Sequence, residues 1–119
     1  LRFVDTNDVK DPSVALLRVI VPTITVDSSP VVLKFKDLQY PGNLRARRLT
    51  GRVLLQFVVR TDSVIEPTSL LLLQAPYGEF AAEAIDGVKS ARFRPASIGS
   101  CFVPALVRVP VDFKIRRLP

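Results

Sequence analysis

Two carboxylates are spaced for possible acid–base chemistry. Glu79 and Glu83 lie four residues apart in a stretch with helical periodicity, which places both on one helical face. Paired carboxylates can act as general acid and base. The sequence has no His, however, so a Ser-His-Asp triad is excluded. No nucleophile or metal motif lies near the two glutamates, so we interpret them as a solvated face and expect no catalytic residue in the chain.

Metal and cofactor chemistry is also not expected. The single cysteine, Cys101, excludes an internal disulfide, a CxxC redox pair and a zinc knuckle. None of the five glycines falls in a phosphate-binding pattern. We therefore expect no cofactor and no metal. Cys101 itself is expected to be a buried, inert thiol, and a reactive or intermolecular thiol is the alternative.

The charge of the chain is unevenly distributed. The 119 residues contain 17 Lys and Arg against 11 Asp and Glu, a net charge of +6. Residues 1–38 are balanced, and residues 39–119 hold twelve basic and six acidic residues. Such asymmetry can attract nucleic acid, a membrane surface or an acidic protein. No aromatic residues alternate with Arg45, Arg47, Arg48 and Arg52, so we interpret this cluster as a solvated face and expect no nucleic-acid partner.

Alternation of apolar and polar residues predicts an antiparallel sheet that is covered on one face. The odd positions are apolar in two segments, 53–59 and 103–115, and the second predicts a long final strand. A weaker strand is predicted over Thr68–Leu73, and Thr61–Ser63 forms the turn before it. A helical period over Glu79–Ala91 predicts one main helix packed on the sheet.

Shorter elements complete the predicted fold. A helical turn is predicted over Gly42–Arg48. Apolar runs at Val14–Val21 and 31–35, separated by the turn-like segment Asp27–Pro30, predict a hairpin in a β-rich N-terminal extension of residues 1–38. Arg92 and Arg94 are interpreted as complementing the helix dipole. The expected fold class is α+β.

Several motifs, in order, resemble the TonB C-terminal domain. They are Gln39–Pro41, Gly51–Val59 with Asp62, Phe80–Ala84, Arg92–Ala96, Gly99 and Val107–Phe113. The resemblance covers residues 39–119 and implies the order αββαβ, with residues 1–38 outside it. The Asp-Gly turn usual in this family is Asp62-Ser63 here, and Ala91 replaces the aromatic residue usual before the Arg-Phe pair.

The resemblance implies a non-catalytic, periplasmic protein-binding domain of a Gram-negative cell envelope. TonB proteins take energy from an inner-membrane motor and pull on the Ton box of outer-membrane receptors. The Ton box docks as an added strand on the last strand, near the Gln-Tyr-Pro segment. When the docking surface of the family is transferred by position to this sequence, the resemblance implies docking at Gln39, Tyr40 and the strand Val107–Ile115. We expect a membrane anchor or signal peptide to lie outside this sequence.

The residues of the final strand favour strand addition even without the resemblance. Backbone groups of alternate residues point to opposite sides of a strand, and Pro104 and Pro110 remove two donors from the even side. We therefore expect an edge strand that is open around Leu106–Arg108 and Asp112–Lys114. The predicted partner-binding residues are Gln39, Tyr40, Leu106, Val107, Arg108, Asp112 and Lys114.

Two alternatives stay open. Tyr40 either contacts the partner or packs beneath a helical turn that Pro41 begins. At the level of function, the same fold can serve as a static accessory subunit of a membrane-embedded complex, with residues 1–38 as its docking surface.

Overall fold

The computed structural model describes residues 13–17 and 26–115. The elements in chain order are β1 (Ser13–Leu17), β2 (Val31–Lys34), α1 (Gly42–Ala46), β3 (Gly51–Val59), a 3-10 turn (Pro67–Ser69), β4 (Leu71–Gln74), α2 (Gly78–Ser90), β5 (Arg92–Arg94), β6 (Ala96–Ile98), β7 (Cys101–Val103) and β8 (Ala105–Ile115).

The main sheet has four antiparallel strands in the order β1-β8-β3-β4. Its centre is the pairing of β3 with β8, which runs from Gly51 opposite Phe113 to Val59 opposite Ala105. The odd-numbered residues from Val53 to Val59 and from Ala105 to Phe113 are buried, whereas most even-numbered residues of the two strands are exposed or half-buried. The predicted one-sided sheet is therefore confirmed, and its apolar face forms the core.

The main helix packs on this apolar face. Helix α2 buries Phe80, Ala84 and Val88 in one cluster with the odd-numbered residues of β3 and β8. The rings of Phe80 and Phe113 stack with their centroids 4.3 Å apart. An α+β fold with antiparallel strands and one main helix is thus confirmed.

Two small sheets extend the fold after α2. Strand β5 pairs with β2, and β6 pairs with β7. Arg92 and Arg94 are exposed residues of β5 around the buried Phe93. Arg92 Nη1 donates a hydrogen bond of 3.2 Å to the carbonyl of Ala91, the C-cap residue of α2, which agrees with the prediction that Arg92 complements the helix dipole. The strand β5 itself was not predicted. A strand of three residues is too short to show an alternating pattern in the sequence.

The two described strands of the N-terminal extension pair with the rest of the chain. Strand β1 pairs with β8, and β2 pairs with β5, so they lie in different sheets and do not form the predicted hairpin. Alternation indicates that a segment is a strand but does not identify its neighbour, which explains the error. The rest of the predicted strand Val14–Val21, beyond residue 17, lies outside the described residues.

A glycine in α2 brings the extension close to the helix. A Cβ added to Gly87 would lie 2.6 Å from the Leu38 side chain and 2.9 Å from the ring of Phe35. Gly87 costs about 1 kcal/mol of helix propensity relative to Ala. The close packing of Leu38, which is fully buried, accounts for a glycine at this position.

Cys101 is exposed, so the prediction of a buried thiol is wrong. It lies opposite Ile98 at the end of the β6–β7 hairpin, next to the turn with Gly99, whose φ is +59°. A hairpin end that projects beyond the core leaves both paired residues exposed.

We predict that Leu17→Ala lowers the free energy of unfolding of the full chain by about 2–4 kcal/mol, because it leaves a cavity in the core. Leu17 is 0% exposed, whereas Leu33 on β2 is 62% exposed. The control Leu33→Ala should therefore change stability by less than about 0.5 kcal/mol. Urea unfolding measures both, and equal effects of the two substitutions would contradict the packing of β1 on the core.

Candidate functional site

The candidate site is the side of β8 that faces away from β3. Strand β1 pairs there with Val111–Ile115. Among the described residues, no strand pairs with Ala105–Pro110 on this side. The prediction of an edge strand is therefore wrong for the last five residues of β8, because β1 of the same chain pairs with them. The described open edge is confined to the first half of β8, Ala105–Pro110.

Leu106 and Arg108 lie on the exposed face of the open half. Leu106 is 43% exposed, and Arg108 is exposed as well. The Arg108 Nε donates a hydrogen bond of 3.1 Å to Oε1 of Gln56, the residue opposite it on β3. Val107 lies on the other face and is fully buried, so its side chain belongs to the core.

Asp112 is occupied by an ion pair. Its carboxylate accepts two hydrogen bonds from the guanidinium of Arg52, from Nε at 2.6 Å and from Nη2 at 3.1 Å, across the β3–β8 pairing. This pairing raises the pKa of Arg52 above its ordinary value. Asp112 is only 8% exposed, so it does not stand on a solvated face as the sequence predicts. Lys114 is exposed, and it lies opposite Val14 of β1.

Tyr40 packs into the aromatic part of the core. Its ring makes edge-to-face contacts with Phe80 and Phe113, with centroids 5.4 Å and 5.6 Å away. Its hydroxyl donates a hydrogen bond to the carbonyl of Leu49, and burial raises its pKa above the ordinary value of 10.0. These contacts correspond to the alternative in which Tyr40 packs near the helical turn that follows Pro41.

The structure separates the predicted site residues into two groups. Tyr40 contacts Phe113 on the helix-covered face, whereas Leu106 and Arg108 lie on the opposite face. From Phe113 to these two residues the strand advances by about 17–23 Å at roughly 3.3 Å per residue. Gln39 is exposed and stays beside Tyr40 and α2, because its backbone N–H donates to Glu83 Oε2 at 2.8 Å.

Glu79 and Glu83 of α2 hold the segment from Lys36 to Asn43 against the helix. Glu83 accepts the Gln39 hydrogen bond and pairs with Lys36 at 3.5 Å, and Lys36 also pairs with Asp86. Glu79 accepts a hydrogen bond of 3.0 Å from Asn43, which lowers the pKa of its carboxyl. The interpretation as a merely solvated face is incomplete. The four-residue spacing was the available signal, but it did not reveal which segment the carboxylates contact.

The described residues contain neither a metal-binding cluster nor a membrane-spanning helix. No group of three or more His, Cys, Asp or Glu side chains could hold a metal ion within residues 13–17 and 26–115. No helix in this part of the chain is long and apolar enough to cross a membrane.

Comparison with known proteins shows the family of the chain and a similar solved structure. The family model for the Gram-negative bacterial TonB protein C-terminal domain matches residues 36–115. The solution NMR structure of the Pseudomonas aeruginosa TonB C-terminal domain is similar, with a TM-score of 0.58 and 23% sequence identity. That similarity covers 78% of this chain and 93% of the Pseudomonas domain. No curated protein matches the chain.

We predict that Tyr40→Phe lowers the free energy of unfolding by about 1 kcal/mol, because the Leu49 carbonyl loses its hydrogen bond. The folded pKa of Tyr40 is raised, so this stabilisation is complete below pH 10 and is lost as the pH rises through the folded value. The difference in stability between the parent chain and Tyr40→Phe should therefore shrink above pH 10. A difference that stays constant from pH 8 to strongly alkaline pH would contradict the assignment.

Proposed function

The chain belongs to the family of Gram-negative bacterial TonB C-terminal domains, non-catalytic domains that bind partner proteins, and on this premise we propose that it receives an extended partner segment on β8. The partner of this proposal is a Ton box-like segment of an outer-membrane receptor. Family domains act in the periplasm of Gram-negative bacteria, and we propose the same location and a role in energy transduction for transport.

The open half of β8 is the single observation that carries this proposal. Pro110 has no N–H and lies opposite Leu54 in the β3 pairing, so the even-numbered positions are suited to face away from β3. Among the residues that the structure describes, no strand pairs with the N–H groups of Leu106 and Arg108 on the open side. Pro104 and Pro110 limit the ladder to this short register, which favours a short segment over a long strand.

The side chains beside this register favour a particular kind of segment. Leu106 offers exposed apolar surface, and Arg108 offers a cation, so an extended segment with an apolar and an acidic residue fits best. Gln39 and Tyr40 lie beside the half of β8 that β1 covers, since Tyr40 contacts Phe113. We therefore propose that Leu106 and Arg108 supply the backbone contacts, whereas the odd-numbered Val107 pairs with β3. Gln39, Tyr40 and Lys114 contribute only where a partner reaches past β1.

We predict that Arg108→Pro weakens binding of a synthetic Ton box peptide by about five- to tenfold, because one outward N–H is lost from a short ladder. Arg108→Ala is the matched control, since it removes the same side chain but keeps the N–H. Titration of the labelled full chain by NMR should shift the amides of residues 105–110 most. Equal affinities of Arg108→Pro and the parent chain would refute strand addition at this edge.

A static accessory subunit of a membrane-embedded complex is the second candidate. The occupation of Val111–Ile115 by β1 favours it, because the chain covers half of the edge with its own extension. Under this candidate the parent chain binds no Ton box peptide. It instead co-purifies with membrane proteins from envelope extracts in a fixed ratio.

A further inference from the structure

Strands β2, β5, β6 and β7 form one continuous arm of the molecule. The pairing of β2 with β5, in which Val31 lies opposite Arg94, continues in the same register to a bridge between Ser28 and Ser97 of β6. Strand β7 pairs with the other side of β6. The two small sheets are therefore joined, and the arm follows directly after the C-terminal end of α2.

The end of the β6–β7 hairpin exposes apolar side chains on both of its faces. Ile98 lies opposite Cys101 and is 49% exposed, and Phe102 lies opposite Ser97 and is 59% exposed. Consecutive residues of a strand point to opposite faces, so Phe102 and Ile98 lie on different faces of the hairpin. Apolar residues on both faces of a projecting end favour insertion into an apolar phase over contact with a single protein surface.

The segment before β2 holds the end of the hairpin in place. The N–H of Gly99 donates a hydrogen bond to the Asp27 carboxylate, and the N–H of Asp27 donates to the carbonyl of Ser97 at 2.8 Å. The N–H of Ser97 donates in turn to the carbonyl of Ser28 at 3.0 Å. Because the hairpin end is already fixed, it loses little conformational entropy on binding. These contacts also occupy Asp27, the one acidic residue of the arm.

The remaining charge of the arm is positive. Lys34 lies opposite Arg92 on the exposed face of the β2–β5 pair, and Arg94 lies two residues further on the same face. Among the described residues, no acidic side chain forms an ion pair with these three cations. The sequence between residues 87 and 111 contains no Asp or Glu. Exposed apolar side chains beside unpaired cations are typical of surfaces that bind anionic lipids.

We propose that this arm binds the surface of an anionic lipid bilayer. Ile98 and Phe102 enter the boundary between the headgroups and the acyl chains, and the cations contact the headgroup phosphates. Arg94 lies four residues from Ile98, about 13 Å along the strand. Since the headgroup region is about 5–8 Å thick on each side of a bilayer, insertion of the hairpin end brings Arg94 within about 8 Å of the phosphates, one Debye length. The β8 edge takes no part, so the proposal holds or fails independently of strand addition.

The test is co-sedimentation of the full chain with two kinds of vesicle, one of phosphatidylcholine alone and one of phosphatidylcholine and phosphatidylglycerol in equal amounts. We expect binding to the anionic vesicles that weakens as salt is added, and binding to the neutral vesicles that is about tenfold weaker or less. The double substitution Lys34→Gln and Arg94→Gln should weaken binding to the anionic vesicles by about tenfold or more, because each cation near the surface contributes about fivefold. Phe102→Ser should weaken it by about tenfold, because the hairpin end loses its largest apolar side chain.

Each variant has a matched control elsewhere in the molecule. The double substitution Arg47→Gln and Arg48→Gln removes the same charge next to α1. That helix lies at the opposite end of α2 from the arm, since Asn43 contacts Glu79 in the first turn of α2. Leu71→Ser removes an apolar side chain that is 52% exposed on β4. Both controls should change the affinity for anionic vesicles by less than about twofold.

Cys101 gives a readout of insertion without any substitution, because it is the only cysteine of the sequence and is exposed at the hairpin end. A polarity-sensitive fluorophore attached to Cys101 should shift its emission to shorter wavelength on anionic vesicles. Spin labels on the lipid chains should quench this emission. Emission that stays unchanged on vesicles to which the chain binds would refute insertion of the hairpin end.

Three further outcomes overturn the proposal. The first is a chain that does not bind anionic vesicles, or binds neutral vesicles equally well. The second is equal weakening by the arm variants and their controls, which would indicate attraction by the net charge of +6 alone. The third is binding to soluble polyglutamate that is as tight as binding to the anionic vesicles, which would indicate an acidic protein as the partner.

Discussion

The pairing of β3 with β8 is the constraint on which the other elements depend. All residues of β3 lie opposite a residue of β8, from Gly51 and Phe113 to Val59 and Ala105. This register decides which residues share a face, because a shift by one residue would turn every side chain to the other side. It places Phe113 beneath Phe80 of α2 on one face and Asp112 beside Arg52 on the other. The core, the ion pair between Arg52 and Asp112 and the two outer edges of the sheet all follow from it.

Strong local periodicity made the main elements predictable. The odd-numbered apolar residues of β3 and β8 and the helical stripe of α2 are each long enough to define a period. The resemblance then supplied their arrangement, which the structure confirms. The short strands β5, β6 and β7 were missed, because three residues do not establish an alternation. The partners of β1 and β2 were also missed, since strand pairing is a long-range property that local patterns do not encode.

The candidate site was only partly predictable for the same physical reason. Alternation correctly assigned Leu106 and Arg108 to the exposed face of β8. It could not reveal that Asp112 meets Arg52, because that contact depends on the register with a strand about sixty residues away. It also could not reveal that Glu83 and Gly87 receive the segment around Lys36 and Leu38. Ser63 shows a local limit of another kind, since it adopts a φ of +77° at the turn where the resembling family usually has glycine.

The two edges of the sheet differ in charge and in proline content. On the β8 edge, Pro104 and Pro110 interrupt the donors, and Arg108 and Lys114 add positive charge. A second copy of the same cationic chain would meet like charge there and find a broken ladder. A short foreign segment with an acidic residue would meet neither obstacle. The β4 edge has uncharged leucines and no proline within the strand. Charge and proline therefore distinguish the β8 edge, where they favour a short acidic segment, from the β4 edge, although the same sheet supplies both edges.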